Sequence, residues 1–268
     1  MPDFYDTHAH LDFPDFTPDL AQVIERAALA GISKIISIGT DLESSMRAVK
    51  LAERFSGVFA AVGWHPCQAS EAPEDVRPAL RELAGHPKVV AIGETGLDYH
   101  RSPAKPQEST EDESRCRSKQ ASLFLQHLEV AEEFGLNCVI HQRKALEDVL
   151  TQMRPFAGRV SGVFHCFVDN PVDMRSVLAM GSLVSFTGIV TFKNAQSVRE
   201  TVVATPPDRF LLETDCPYLA PAPHRGQRCE PAHVKEIAET VARARNGTLE
   251  ELSRATCASA SRFFPKLG

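Results

Sequence analysis

Short apolar runs alternate with longer amphipathic stretches along almost the whole chain. Most of the short runs are nearly continuously apolar and rich in β-branched or aromatic residues, as is typical of parallel strands that are buried on both faces. Eight runs are predicted to form strands: Phe4–Thr7, Lys34–Gly39, Val58–Gly63, Val89–Gly93, Asn137–Ile140, Gly162–Phe164, Ser182–Phe186 and Arg209–Glu213.

The stretches between these runs have the residue spacing of amphipathic helices. The first begins at a capping residue, Thr17, and ends before Gly31, as helix-capping preferences require. The predicted helices are Thr17–Ala30, Asp41–Phe55, Pro73–Ala84, Ser118–Phe134, Ala145–Phe156, Pro171–Met180, Ala195–Val203, Pro231–Arg245 and Leu249–Phe263.

Eight successive strand-then-helix units predict one α/β domain over residues 1–268, a closed (β/α)8 TIM barrel. The alternative is an open, doubly wound sheet. That alternative fits less well because no Gly-rich phosphate-binding loop follows the first strand.

Residues 101–117 interrupt the alternation. The segment is polar and charged and has no apolar period, so we predict a long loop after the fourth strand. In a barrel, such a loop lies on the rim where the strands end. It would act there either as a lid and specificity loop or as a surface insertion without a role in the chemistry.

The composition allows a large core and limits the possible partners. The 268 residues are 43% hydrophobic, and 29 Lys and Arg against 35 Asp and Glu give a formal net charge of −6. A protein that coats nucleic acid would be basic instead. A polyanion would therefore have to meet a local positive site, formed by basic side chains or by bound cations.

Cysteine usage and the distribution of apolar residues bear on location. The seven cysteines are odd in number and include no Cys-x-x-Cys pair, which argues against a disulfide framework and a zinc finger. We see no secretory signal and no apolar run of membrane-spanning length. We expect a cytoplasmic protein with no membrane partner. We also expect a monomer, because no coiled-coil pattern indicates assembly.

The first predicted strand runs into the segment Asp-Thr-His-Ala-His-Leu-Asp, residues 6–12. Alternate residues of a strand leave on the same face, so His8 and His10 should point together. Two converging imidazoles suit a transition-metal ion. Alone they are also compatible with two polar residues at a strand end, so a metal site requires further ligands.

Four such candidates follow other predicted strands. Glu94 follows the fourth strand, His141 the fifth, His165 the sixth, and Asp215 follows the eighth. Each by itself could be a rim hydrogen-bonding residue or a helix cap, but a barrel brings all of these strand ends to one face. Four histidines and two carboxylates exceed one closed zinc site. They suit two ions that share a bridging carboxylate.

These residues lie in motifs that resemble the TatD family of metal-dependent deoxyribonucleases. The resemblance spans essentially the whole chain. The motifs are Asp-Thr-His-Ala-His-Leu-Asp (6–12), Gly-Trp-His-Pro (63–66), Gly-Glu-Thr-Gly-Leu-Asp (93–98), Ile-His-Gln-Arg (140–143), Phe-His-Cys-Phe (164–167) and Glu-Thr-Asp-Cys-Pro-Tyr-Leu (213–219). The resemblance implies a barrel of the metal-dependent hydrolase type, related to the amidohydrolases.

It also implies roles for the ligands. His8 and His10 would hold one metal with Asp215, His141 and His165 would hold the second, and Glu94 would bridge both. Asp215, the terminal carboxylate, would orient the attacking water and accept its proton, which makes Glu94 and Asp215 the catalytic pair. The metals are two divalent ions, zinc, manganese or magnesium; imidazole ligands favour the first two, whereas family nucleases are commonly treated as magnesium-activated.

The expected substrate is a DNA strand end, preferably single-stranded, cleaved in the 3′→5′ direction. The alternatives are an ester hydrolase on the same site, such as an aminoacyl-tRNA deacylase or a lactonase, and an inactive binding scaffold. Predicted phosphate contacts are His65, Arg143 and Arg225, with Lys193 as a further candidate that could equally be a solvated loop charge. Predicted base-stacking rings are Tyr99, Phe167 and Trp64, and Trp64 could equally be a core-packing residue. The chain departs from its relatives at Val168-Asp169 and at Arg225–Pro231, which affects substrate preference rather than the ligand set.

Overall fold

A computed structural model describes residues 2–100 and 110–268. The strands are β1 (Phe4–Ala9), β2 (Ile32–Ile38), β3 (Val58–Val62), β4 (Val89–Asp98), β5 (Asn137–Arg143), β6 (Gly162–Phe164), β7 (Leu183–Phe186) and β8 (Phe210–Leu212). The helices are α1 (Leu20–Leu29), α2 (Leu42–Arg54), α3 (Arg77–Ala84), α4 (Thr110–Phe134), α5 (Leu146–Met153), α6 (Pro171–Ala179), α7 (Gln196–Ala204), α8 (Val234–Ala244) and α9 (Leu249–Phe263).

The eight strands form one parallel sheet in the order β1 to β8, each paired with its neighbour in the chain. Between β1 and β8 a single bridge joins Ala9 to Cys216. Two backbone hydrogen bonds reinforce it, from the His10 N–H to the Cys216 carbonyl at 2.8 Å and from the Asp215 N–H to the His8 carbonyl at 2.9 Å. The (β/α)8 barrel predicted from the alternation is therefore confirmed.

The C-terminal segment covers one end of the barrel. Phe263, Phe264 and Leu267 pack in a buried cluster with strand residues such as Ile36 and Val139. Hydrogen bonds from Lys34 to the carbonyls of Leu267 and Gly268, and from Asn137 to that of Phe263, fasten the segment to strand beginnings. The opposite end, where the strands finish, is left for the site.

The region after β4 differs from the prediction. Residues 101–109 lie outside the described residues, but residues 110–117, expected in a loop, form the start of α4. Between residues 113 and 117 no side chain is buried, and Arg115 and Arg117 are exposed, so these residues show no apolar period. It is helical because its Glu and Arg residues have high helix propensity and because Glu113 pairs with Arg117 one turn on. No described helix is long and apolar enough to cross a membrane.

Candidate metal centre

The six side chains with predicted ligand roles all lie at the end of the barrel where the strands finish. His8, Glu94 and His141 belong to β1, β4 and β5. His10 and His165 follow β1 and β6 directly, and Asp215 lies three residues after the end of β8. Their convergence follows from the topology, because parallel neighbouring strands finish at the same rim.

One group of polar atoms gathers around the end of β1. The His8 and His10 Nε2 atoms are 3.3 Å apart. The Asp215 Oδ1 atom lies 3.6 Å from His8 Nε2 and 3.4 Å from His10 Nε2, and Glu94 Oε2 lies 3.5 Å and 3.8 Å from the same two atoms. Two imidazole nitrogens and two carboxylate oxygens thus surround one point.

A second group gathers around the other oxygen of Glu94. Its Oε1 atom lies 2.8 Å from His165 Nε2 and 2.9 Å from His141 Nδ1, and these two nitrogens are 3.1 Å apart. The Glu94 carboxylate, only 3% exposed, therefore presents one oxygen to each group. This is the position that a bridging carboxylate requires.

These donor sets fit divalent cations. Ligand atoms about 2.0–2.1 Å from a tetrahedral ion are roughly 3.3 Å apart, close to the separations between the nitrogens here. Three sets drawn from these residues have ligand atoms within 4.8 Å of one another, namely His8–His10–Glu94, His8–His165–Asp215 and His65–Glu94–His141. Imidazole nitrogens this close together in a buried site, beside two carboxylates, require positive charge between them, which bound cations or ring protons supply.

His65, predicted as a substrate contact, lies among the ligands. Its Nε2 atom is 3.3 Å from Glu94 Oε1 and 3.2 Å from His141 Nδ1, which is near enough for it to ligate a metal. However, the Cys67 N–H donates to His65 Nδ1 at 3.1 Å, and a neutral imidazole that accepts at one nitrogen carries its hydrogen on the other. This tautomer favours His65 as a hydrogen-bond donor at Nε2 over His65 as a ligand.

The opposite tautomer is set at His141 by a residue that the sequence analysis did not single out. His141 Nε2 lies 3.1 Å from Asp98 Oδ2, and since a carboxylate only accepts, Nε2 carries the hydrogen and the Nδ1 lone pair faces Glu94 and His165. A signal was available, because Asp98 lies four residues after Glu94 and such positions share a face of a strand.

Glu213 serves a mainly structural role in this geometry. Its carboxylate accepts the Cys166 N–H at 2.6 Å and the Ser185 hydroxyl at 2.7 Å, whereas His165 Nδ1 is 3.9 Å away. Burial raises the pKa of Glu213 to about 7. The distances therefore fit a buried hydrogen-bonding role for Glu213 better than support of the ligand histidine His165.

The neighbouring histidines lower the pKa values of Glu94 and Asp215 and so keep both carboxylates ionised. Burial by itself would raise the pKa of Glu94, but the charges of His165 and His65 hold it well below its usual range. Burial likewise opposes the charged form of His10, yet the hydrogen bond and charge of Asp215 raise the His10 pKa to about 9. Burial and the nearby His165 lower the pKa of His8 to about 4. The carboxylates thus attract positive charge to the centre of the site.

A cavity of about 660 Å³ opens over these ligands. Arg143 is exposed and lines the cavity, as does His65. Arg225 is not among the lining residues; its guanidinium lies 3.9 Å from the centre of the Phe192 ring and donates to the Ala220 carbonyl. Lys193 is exposed and also lies outside the lining. Phosphate binding by any of these residues stays a prediction.

The predicted base-stacking rings are poorly placed. Trp64 and Phe167 are buried, so neither ring can reach a base. Core packing, the alternative for Trp64, is confirmed, and the prediction for Phe167 is wrong. Tyr99 is half-buried, its hydroxyl donates to Asp148 at 2.7 Å, and the Arg117 guanidinium covers its ring at 4.3 Å. Burial could not be read from sequence motifs that contain both ligands and packing residues.

Comparisons with known proteins agree with the site. The model of the family "TatD related DNase" matches residues 5–265. An uncharacterised metal-dependent hydrolase of Bacillus subtilis, YabD, is 40% identical over 263 residues, which cover 97% of this chain and 98% of that protein. The protein named 3′-5′ ssDNA/RNA exonuclease TatD of Erwinia amylovora is 34% identical over 267 residues, 97% of this chain and 99% of its own.

A solved structure is similar as well. The crystal structure of YJJV, a TatD homologue from Escherichia coli K12, superposes with a TM-score of 0.87 at 26% identity and covers 98% of both chains. The match extends through the whole barrel, so the resemblance drawn from six short motifs is confirmed over the full fold.

Proposed function

The chain belongs to the TatD-related DNase family, and from that premise we propose that it is a metal-dependent deoxyribonuclease with two divalent cations in its site. The observation that carries the proposal is the position of Glu94. Its two carboxylate oxygens face two separate ligand groups, so one residue can serve both ions. His8, His10 and Asp215 would complete the first set of ligands, and His141 and His165 the second.

The candidate ions are zinc, manganese and magnesium. The four imidazoles favour zinc or manganese, because magnesium prefers an all-oxygen shell. The hydrogen bond from His141 Nε2 to Asp98 supports a ligand role for Nδ1 of the same ring.

The reaction proposed is hydrolysis of a phosphodiester. Divalent cations bound here would supply positive charge to the phosphate oxygens and make the attacking water more acidic. Asp215, 15% exposed at the floor of the cavity, would orient that water and accept its proton. His65 would donate its Nε2 hydrogen to a phosphate oxygen, as its tautomer allows, and Arg143 would contact the phosphate of a neighbouring nucleotide.

A DNA strand end is the substrate that suits this cavity. The chain carries a net charge of −6, so attraction of a polyanion depends on the local charge of the cations and Arg143. A concave site of about 660 Å³ at the barrel mouth suits an unpaired end better than the side of a duplex. By likeness to the relative named as an exonuclease, we propose cleavage of single-stranded DNA in the 3′→5′ direction. All seven cysteines are free, which supports a reducing, cytoplasmic location.

A test combines metal counting with a nuclease assay. Protein loaded with manganese or zinc should bind two ions, measured by elemental analysis, and should shorten single-stranded DNA one nucleotide at a time from the 3′ end. Glu94→Gln, which keeps the side-chain size but removes the charge and one acceptor oxygen, should abolish shortening and reduce the metal content. Glu43→Gln is the matched control, because Glu43 is 85% exposed on α2. Full activity of the Glu94 variant would refute the bridging role.

A further inference from the structure

The rim of the cavity is divided into two chemically different halves. The loops after β2 and β3 and the end of β5 contribute polar residues, namely Thr40, His65, Gln68, Gln142 and Arg143. The loops after β6, β7, β8 and β1 contribute an apolar set, namely Val168, Ile189, Tyr218, Leu219 and Phe13. The four loops of the second set are neighbours, because the chain after β8 bridges to β1. We call the five apolar residues of these loops the apolar half-rim.

Two aromatic rings form the centre of the apolar half-rim. Phe13 and Tyr218 are T-shaped, with ring centroids 6.0 Å apart and planes at 83°. Tyr218 is 55% exposed and the Phe13 ring is half-buried. Phe13 and Tyr218 thus form a contiguous apolar surface in the lining of a polar cavity, and contiguous exposed apolar surface is typical of binding sites.

Each ring is held close to a candidate ligand by the same local geometry. The Phe13 N–H donates to the carbonyl of His10, three residues earlier, and the Tyr218 N–H donates to the carbonyl of Asp215, also three residues earlier. The Phe13 ring in addition stacks on the His10 ring at 4.9 Å. The distance between the rings and the metal ligands is therefore short and fixed.

Ion pairs between the two loops hold the rings in register. Arg228, in the loop that carries Tyr218, donates to both oxygens of Asp19 at 2.8 Å, and Asp19 lies in the loop that carries Phe13. Glu230 extends the network by accepting from Arg26 of α1 at 2.8 and 2.9 Å. The apolar half-rim is thus built before substrate arrives, which reduces the entropy lost on binding.

We propose that the apolar half-rim is the binding subsite for the base of the terminal nucleotide, which stacks on Tyr218 beside Phe13. This rests on the proposed nuclease function and specifies how the strand end is recognised. When the scissile phosphate lies over the metal ligands, the terminal base lies against the apolar half-rim. The rest of the DNA strand then leaves across the polar residues of the opposite half, past Arg143. Stacking tolerates any base and requires an unpaired one, so this subsite selects single-stranded ends without reading sequence.

The test compares protein variants on two single-stranded oligonucleotides, one complete and one with an abasic residue at its 3′ end. The manganese-loaded wild type should show a KM roughly 5- to 100-fold lower for the complete oligonucleotide, the range expected for one base–aromatic stack. Tyr218→Ser should raise KM for the complete oligonucleotide by a similar factor, with kcat little changed. The same variant should match the wild type on the abasic one. Tyr218→Phe keeps the ring and should behave as the wild type.

Leu125→Ser is the control for loss of an exposed apolar side chain, since Leu125 is 43% exposed on α4. Equal impairment of Tyr218→Ser on both oligonucleotides, or impairment of Tyr218→Phe to the same degree, would overturn the base subsite while leaving the nuclease function in place. A wild type that shortens neither oligonucleotide would instead overturn the nuclease proposal itself.

Discussion

His127 is predicted to make the stability of the fold depend on pH in a defined window. The ring is fully buried on α4, its Nδ1 atom donates to the Leu123 carbonyl at 2.7 Å, and its Nε2 atom accepts the Trp64 N–H at 2.9 Å. This bond ties α4 to the segment that contains His65. A proton on Nε2 would replace the acceptor with a second donor, so the folded state requires the neutral ring.

The magnitude follows from the pKa of the ring. Burial lowers the pKa of His127 from its ordinary value of 6.5 to about 4. Between these values the unfolded chain takes up a proton that the folded chain does not, so the free energy of unfolding falls as the pH is lowered through this window. At about 1.4 kcal/mol per pH unit, the free energy of unfolding falls by roughly 3 kcal/mol over the whole window. Above pH 6.5, the ordinary pKa of histidine, there is no such loss.

The assay is urea unfolding of metal-free wild type and His127→Gln over the pH range 4.5 to 7.5. Trp64, the single tryptophan, provides a fluorescence signal next to the perturbed bond. The variant should be the less stable protein at pH 7.5, because glutamine fits the two partners poorly. The difference in free energy of unfolding between wild type and variant should shrink by about 2.5 kcal/mol from pH 7.5 to pH 4.5, since only the wild type loses the contribution of a neutral His127.

A control variant separates this effect from general acid destabilisation. His100→Gln changes an exposed ring and should give the wild-type pH profile. Protonation of the ligand histidines and of the carboxylates contributes equally to both proteins and cancels in the difference. Parallel stability curves for wild type and His127→Gln would refute the assigned tautomer and the buried neutral ring.

Three further predictions concern the metal site and its frame. Asp98→Asn should weaken metal affinity about 10- to 100-fold, measured in competition with a chromophoric chelator. His65→Gln should lower kcat/KM and leave metal affinity unchanged. Equal loss of metal affinity in both variants would contradict the tautomers assigned to His141 and His65. Chelation should lower the melting temperature reversibly, because a ligand at 100 times its Kd stabilises the folded state by about 2.7 kcal/mol, and an unchanged temperature would exclude a metal held by the native state. Gly96→Ala should lower the free energy of unfolding in urea by roughly 2 kcal/mol or more, because φ at Gly96 is +134° and an added Cβ atom would meet the His141 carbonyl. Gly158→Ala should lower it less, because no atom lies within 4 Å of a Cβ atom added there.

Much of the fold could be predicted because it depends on local pattern. Continuous apolar runs such as Val89–Gly93 identify strands that are covered on both sides, and eight of them with intervening helices leave few topologies other than a barrel. The start of α4 was missed for the complementary reason. A solvent-exposed helix has no apolar period, so at residues 110–117 only propensity and one ion pair distinguish it from a loop.

Local pattern was sufficient to predict which residues could meet at the metal centre. His8, Glu94 and Asp215 are far apart in the chain, but each lies at or just beyond a strand end, and parallel strands bring their ends to one rim. Their type and position in the repeat were enough to predict the ligand set.

The surroundings of those ligands, in contrast, depend on the folded arrangement of the chain. The roles of His65 and Asp98 depend on which ring nitrogen meets which partner. The Cys67 N–H meets Nδ1 of His65, and the Asp98 carboxylate on β4 meets Nε2 of His141 on β5. The choice of Tyr218 over Trp64 as the ring that can meet a base depends on burial by helices packed from outside the barrel. Burial and the Asp98–His141 contact cannot be read from local pattern, because both depend on segments that are remote in the chain.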